Sequence, residues 1–385
     1  MLQRRHVANC IDSIGIRPVI LSRGCRQMLW GASRLRIVTL DAGRGGNWYH
    51  AESRQCRRNR NGIRFSGDGF FMDQQQLRSR LQGCYVTIPT LFDDDSLEVN
   101  FEGISQHVEF LIAGGLQEGT GLILSGGGAG DFSTMSIAER IEVARTVVEA
   151  AAGRIPVTVG AQTTSTVEAV ELATAAQNLG ADFIQVSPPF YFSHTEDDFF
   201  EYIQAASQAA PEVGLIVYNT HWTSMGVSEG MVERLVNLPN MVGLKWSSPG
   251  DNFFGFERVI DTFGEKLAVI DNQLRFVTSH MLGARSIELH ICNHWPEWGV
   301  RLFGLLEAGD YGKVQRDLMD VVEPYYRLWA EMETYTSGDG YLDKLCMELV
   351  GLPSSRCRPP TRDVREQFRD KARQMLINCG TPNVV

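Results

Sequence analysis

Three segments between residues 213 and 248 decide the fold: VGLIVYNTH (213–221), SEGMVERLVNL (228–238) and MVGLKWSS (241–248). The outer two are short, β-branched and apolar on both faces, as strands covered by helices on both sides should be. The middle one is an amphipathic helix. A strand, a helix and a second strand of the same kind form a βαβ unit, whose strands are parallel.

The same rhythm runs outward in both directions. Upstream, GCYVTIPT (83–90) precedes SLEVNFEGISQHVEFLIAGG, where Ser96 is the expected N-cap and glycines close the helix. GLILS (121–125) precedes SIAERIEVARTVVEAAAG, in which Ser136 and Glu139 have capping-box spacing. IPVTVGA (155–161) precedes STVEAVELATAAQNLG, and ADFIQVSPP (181–189) precedes TEDDFFEYIQAASQAA. Downstream, a helix around NFFGFERVIDTFG follows the strand at 241–248. KLAVIDN (266–272) precedes QLRFVTSHMLG, and RSIELHICN (285–293) precedes PEWGVRLFGLLEAG. Eight such units in succession match the period of an α/β (β/α)8 TIM barrel. A doubly wound open sheet is the competing arrangement. Beyond Asp310 only helical segments follow. The expected organisation is an N-terminal extension over 1–71, a barrel over 72–308 and a C-terminal helical appendage over 309–385.

A chain of 385 residues with 43% apolar and 21% charged residues has the composition of a soluble globular protein. No run approaches the roughly 18 apolar residues of a membrane span, which argues against an integral membrane protein. Residues 1–71 hold thirteen arginines, no lysine and four acidic residues, a charge of +9; with −10 overall, the remainder carries −19. An acidic body without a basic stripe argues against nucleic acid as the main partner, while leaving room for a small anionic substrate. Eight cysteines show no CxxC and no regular spacing, so neither a metal cluster nor a disulfide framework is expected, and a reducing, cytoplasmic setting fits. Cys84, low on the first strand, is expected to be core. The first 71 residues mix Arg, Gly, Cys and Trp without helical or strand periodicity. They read as a disordered basic tail, a transit peptide, or residues upstream of a true start at Met72.

In a barrel the chemistry sits where strands end. Strand alternation puts Gly243 and Lys245 on one face, with Val242 and Leu244 expected toward the helices. The same test puts Gly214, Ile216 and Tyr218 together on the neighbouring strand. Lys245 and Tyr218 are therefore expected to meet at one mouth. A desolvated lysine favours its neutral amine, which attacks ketones, and a phenol beside it can move protons. The alternative is a lysine that snorkels to solvent or pairs with a carboxylate such as Asp251 or Asp271.

With these residues in place, the sequence from Gly83 to about Leu376 resembles the dihydrodipicolinate synthase and N-acetylneuraminate lyase superfamily of Schiff-base barrels. GLKWSS is similar to that family's G-x-K segment, VYNTH to its Tyr-Asn segment and SPPFY to the motif whose second aromatic enters a neighbouring subunit. SGGGAGDFSTMSIAER stands where the family has a Gly-Thr/Ser-Thr-Gly-Glu loop, and GAQTTSTVEAVELA resembles the region after strand three. The resemblance implies a lyase, an aldolase or hydro-lyase, acting through an imine on pyruvate or a related 2-keto acid, with no organic cofactor and no metal. It implies Lys245 as the imine lysine, Tyr218 as the relay phenol and Tyr191 as the aromatic lent across an interface. Gly128, Ala129 and Ile287 would bind the substrate, and the assembly would be a homotetramer, a dimer of dimers.

The departures from the family are informative. The two hydroxyl residues of the family loop are here Gly128 and Ala129, leaving only backbone N–H groups to hold a carboxylate. The synthases carry an arginine shortly after the Tyr-Asn segment, and HWTSMG (221–226) has none. That disfavours dihydrodipicolinate synthase proper. SSPGD (247–251) is similar to the Gly-Asp pair of keto-deoxy sugar-acid dehydratases, a second enzymatic reading. A barrel that binds a keto acid without turning it over is a third. His221, Trp222, Asn293 and His294 are candidates for specificity. His290 reads as packing under the last helix, and the HxxxH it forms with His294 has poor metal-ligand geometry.

Overall fold

Each apolar segment of the eightfold alternation becomes a parallel strand, and the strands close on themselves. In this computed structural model they are β1 (Gly83–Thr87), β2 (Gly121–Ser125), β3 (Val157–Gly160), β4 (Phe183–Val186), β5 (Gly214–Tyr218), β6 (Met241–Trp246), β7 (Ala268–Asp271) and β8 (Ser286–Glu288). β8 pairs with β1, so the sheet is a closed barrel and not an open doubly wound one. The structure describes residues 73–385 and, upstream, two short antiparallel hairpins, Gln27–Gly31 with Arg34–Val38 and Arg58–Asn59 with Gly62–Ile63. The sequence reading found no strand periodicity in those hairpins; its other expectations for residues 1–71 lie outside the described residues. The chain divides into compact units at residues 1–70 and 71–385, and the second carries the barrel.

Helix α1 (Gln74–Ser79) precedes β1. The barrel helices are α2 (Phe101–Ala113), α3 (Ile137–Ala151), α4 (Thr166–Leu179), α5 (Glu196–Ala209), α6 (Glu229–Leu235), α7 (Gly255–Phe263), α8 (Phe276–Met281) and α9 (Pro296–Glu307). The capping box of Ser136 and Glu139 opens α3 as expected. Ser96 does not cap α2: its backbone N–H is bound by the Asp93 carboxylate in a turn, and Asn100 caps the helix by accepting from the Gly103 N–H.

Inside the barrel, Tyr85, Leu122, Leu124, Phe183, Ile216, Val242 and Ile270 pack against Leu77 and Leu81 from the segment before β1. Val242 is a correction, since alternation had turned it outward. The pairing of β6 with β5 shifts between Met241 and Gly243, and such a bulge resets which residues face in. Leu244 faces the helices and packs among Leu215, Val217 and Val259. Gly243 is inward, and a Cβ on it would lie 2.7 Å from Leu81 Cδ1, so a larger residue there would require the Leu81 side chain to move. Beyond the bulge the register sets Lys245 beside Tyr218 of β5 and Ile270 of β7.

The C-terminal segments are α10 (Tyr311–Asp317), a π-helical turn (Leu318–Val322), α11 (Glu323–Met332), α12 (Tyr341–Leu349) and α13 (Arg365–Cys379). The π turn carries the helix up to Pro324, which has no N–H to donate. These helices share one apolar cluster with Cys84 and Val86 of β1 and with α9, so they pack on the barrel wall. Cys84 is core, as expected. Among the described residues no helix is long and apolar enough to cross a membrane.

Candidate active site

Lys245 is 4% exposed, and its Nζ lies 2.6 Å from Glu288 Oε2. The same ammonium sits 4.6 Å from the ring centre of Tyr218 and 5.1 Å from that of Tyr85. An ammonium can be buried so deeply only with a charge partner and polarisable faces around it. The partner is neither Asp251 nor Asp271. Asp251 is exposed. Asp271, at the end of β7, accepts from Ser279 Oγ at 2.6 Å and from the Gln273 N–H at 2.7 Å. Burial pushes its carboxyl up to about 6.

Tyr218 stands beside Lys245 in register, and its hydroxyl accepts a hydrogen bond from Asn272 Nδ2 at 3.0 Å. Burial, then the negative charges of Glu288 and Asp339, raise the phenol well above its ordinary value. It is therefore a protonated hydroxyl at neutral pH.

Glu288 is the residue that the sequence reading missed. It ends β8 opposite Tyr85 and is 5% exposed. Thr87 Oγ1 donates to its Oε1 at 2.6 Å, and His290 Nε2 stands 3.9 Å from the same oxygen. His290 Nδ1 lies 2.8 Å from Asp343 Oδ2 on α12, and Tyr325 of α11 donates to Asp343 Oδ1 at 2.8 Å. Burial works against a charged imidazole, yet Asp343, Asp339 and Glu288 outweigh it and hold His290 up at about 9. His290 is thus an imidazolium in a carboxylate–histidine–carboxylate row, and at the same time packs on Tyr325 and Trp329. The signal was present in SIELHIC: the alternation test that found Tyr218 and Lys245 turns Glu288 inward as well. It turns Ile287 outward, where its side chain packs with Cys84 and Val86.

The loop after β2 is built from turns closed by the Gly130 N–H to Gly127 O and by the Asp131 N–H to Gly128 O. Lys344 of α12, fully buried, pins it by an ion pair of 2.6 Å to Asp131, whose carboxyl burial raises. A Cβ on Gly128 would lie 2.5 Å from Asp339 Oδ2, and one on Gly340 the same distance from Ala129 O. The Gly338–Gly340 turn thus lies against the glycine loop and presents the half-buried Asp339 to it. Burial pushes the Asp339 carboxyl up to about 6, helped by Asp343 and Glu288 and opposed by His290 and Lys245.

Trp222 is 54% exposed and sets its edge toward Tyr218 at 5.8 Å, with His221 against it at 4.9 Å. Asn293 and His294 are buried on the other side of the 290–293 turn. Asn293 donates to Thr87 O, its carbonyl receives His107 Nε2, and His294 stacks on Tyr325. Burial lowers His294 to about 4, so it is neutral. Tyr191 is 84% exposed beside Phe192, with a left-handed φ of 87°. Among the described residues no group of three or more His, Cys, Asp or Glu is arranged to hold a metal ion.

Comparison with known proteins shows what the chain is similar to. Residues 80–378 match the model of the dihydrodipicolinate synthetase family. The 4-hydroxy-tetrahydrodipicolinate synthase of Methanopyrus kandleri is 28% identical over 308 residues, 78% of this chain and 97% of the relative. Among solved structures, the chloride-inhibited dihydrodipicolinate synthase of Acinetobacter baumannii complexed with pyruvate is 26% identical with a TM-score of 0.63, covering 78% of this chain and 99% of that one. The N-acetylneuraminate lyase of Proteus mirabilis shares the fold at 24% identity and a TM-score of 0.68, with 78% and 99% covered.

Proposed function

Since the chain belongs to the dihydrodipicolinate synthetase family, we propose that it is a Schiff-base-forming lyase, an aldolase or hydro-lyase, acting on pyruvate or a related 2-keto acid. The observation that carries this reading is the buried lysine itself: Lys245 Nζ at the barrel mouth, 4.6 Å from the Tyr218 ring and held by one carboxylate. The amine attacks the keto carbon, the carbinolamine loses water, and the iminium draws electrons from the neighbouring carbon. Tyr218, protonated and held by Asn272, stands as a hydroxyl donor beside the reacting carbon and its oxygen. Backbone N–H groups at Gly128 and Ala129 receive the substrate carboxylate. Tyr191, exposed and held at a left-handed φ, is available to a second copy of the chain, which supports an oligomer that shares its sites.

Incubation with pyruvate and borohydride tests the reading. A stable mass addition is expected on Lys245 and absent from Lys245→Ala; a wild-type protein that traps none of several 2-keto acids overturns it. A second reading, 4-hydroxy-tetrahydrodipicolinate synthase activity, is favoured by what its relatives are called. The stretch after Tyr218 offers His221 and Trp222 where those synthases carry an arginine, which weighs against it. A coupled assay with pyruvate and aspartate semialdehyde separates the two.

A further inference from the structure

A lysine that forms an imine must first lose a proton, and the carbon beside the imine must then exchange one. The glycine loop offers no hydroxyl for this work at Gly128 or Ala129. The Tyr218 hydroxyl is bound by Asn272, whose amide donates. A carboxylate stands in the gap. Glu288 Oε1 is fixed by Thr87, whereas Oε2 has only the Lys245 ammonium against it among the described residues. Once that nitrogen enters an imine, Oε2 loses two of the three protons it faced. A buried carboxylate oxygen that loses hydrogen-bond donors is free to accept a proton from a group that comes beside it.

We propose that Glu288 is the general base and acid of this site, oriented by Thr87 and by the His290–Asp343–Tyr325 row. The proposal rests on the reading of Lys245 as the imine lysine. Glu288 takes a proton from the Lys245 ammonium, and the freed amine adds to the keto carbon. After the amine proton passes to the oxygen, Glu288 gives its proton to the carbinolamine hydroxyl. The C–O bond breaks, water leaves and the C=N bond forms, so the iminium nitrogen keeps one of its three original hydrogens. Glu288, a carboxylate again, removes a proton from the adjacent carbon to give the enamine, and its reverse returns one. His290 is a positioning residue: its Nε2 sets a positive charge 3.9 Å from Glu288 Oε1, and Asp343 keeps His290 charged. The charged and titratable groups facing Glu288 are Lys245 from β6, Tyr85 from β1, Tyr218 from β5, His290, Cys292, Asp339 and Tyr326.

Pyruvate in D2O tests this with two readouts, borohydride trapping on Lys245 and loss of the methyl proton signal by NMR. Glu288→Gln is expected to trap pyruvate more slowly than the wild type but to reach the adduct on long incubation, which also shows that it is folded, while methyl exchange measured on the formed adduct falls by about 100-fold or more. In Glu288→Ala, added formate is expected to restore part of the exchange by filling the vacated carboxylate position. His290→Gln, which removes a group that does not touch Lys245, should shift the acidic limb of the exchange profile upward by about one pH unit. Wild-type exchange in Glu288→Gln with the adduct intact, or an unshifted profile in His290→Gln, overturns the role of Glu288 alone. Failure of the wild-type protein to trap pyruvate or any other 2-keto acid overturns instead the reading of Lys245 on which it rests.

Discussion

Two of the five lysines, Lys245 and Lys344, are buried, and each has one carboxylate at 2.6 Å. Lysine is the residue least suited to burial, so two such pairs in a chain that otherwise uses arginine mark places where an ammonium is specifically required. His290 is another buried cation, and its charge has a consequence for stability. Its pKa rises from an ordinary 6.5 to about 9 on folding, so the folded state binds the proton more tightly than the unfolded one. That contribution, about 3 kcal/mol, is fully present below pH 6.5 and is lost as pH climbs through 9. Thermal unfolding between pH 6 and 10 should show wild-type stability declining across that window, with His290→Gln lower at neutral pH and flatter. Parallel curves would mean that His290 does not carry the charge.

At the scale of elements, the mouth is assembled from strands that end in polar residues and from C-terminal turns that reach over them. The loop 126–131 is short of side chains, and its shape depends on what grips it. Thr90 Oγ1 donates to Gly130 O, Gln162 Nε2 donates to Gly126 O, and Lys344 holds Asp131. Lys344→Met should strand Asp131 as an uncompensated buried charge and cost about 3–5 kcal/mol, with loop amides near 126–131 gaining hydrogen exchange. A loss under about 1 kcal/mol, measured by denaturant unfolding, would show that the pair does not hold the loop. The β-bulge in β6 is the other decisive element-scale feature. It lets Val242 fill the barrel interior and still delivers Gly243 and Lys245 to the inside.

For the whole molecule, the exposed aromatics Tyr191, Phe192 and Trp222 belong to loops that follow β4 and β5. If Tyr191 serves a neighbouring copy, a mixture of inactive Lys245→Ala and impaired Tyr191→Phe chains should regain activity, because a mixed pair holds one site with both residues; no gain after subunit exchange would make each site self-contained. The sequence by itself determined the barrel, because eight apolar runs alternating with amphipathic helices leave few other ways to bury both faces of parallel strands. It also determined that Lys245 and Tyr218 share a mouth, since period-2 alternation and neighbouring strand order are local rules. Applied to β8, that rule would have found Glu288 too. The bulge at Met241–Gly243 was not legible, because it depends on how Val242 packs against Leu81 and Ile216. Nor was the approach of Asp339, Asp343 and Lys344 to β1, β2 and β8, which lie far upstream of them in the chain or across the barrel wall. Those contacts join segments by packing and charge, not by spacing, so only the tertiary structure decided that Lys344 would meet Asp131 and that His290 would meet Asp343.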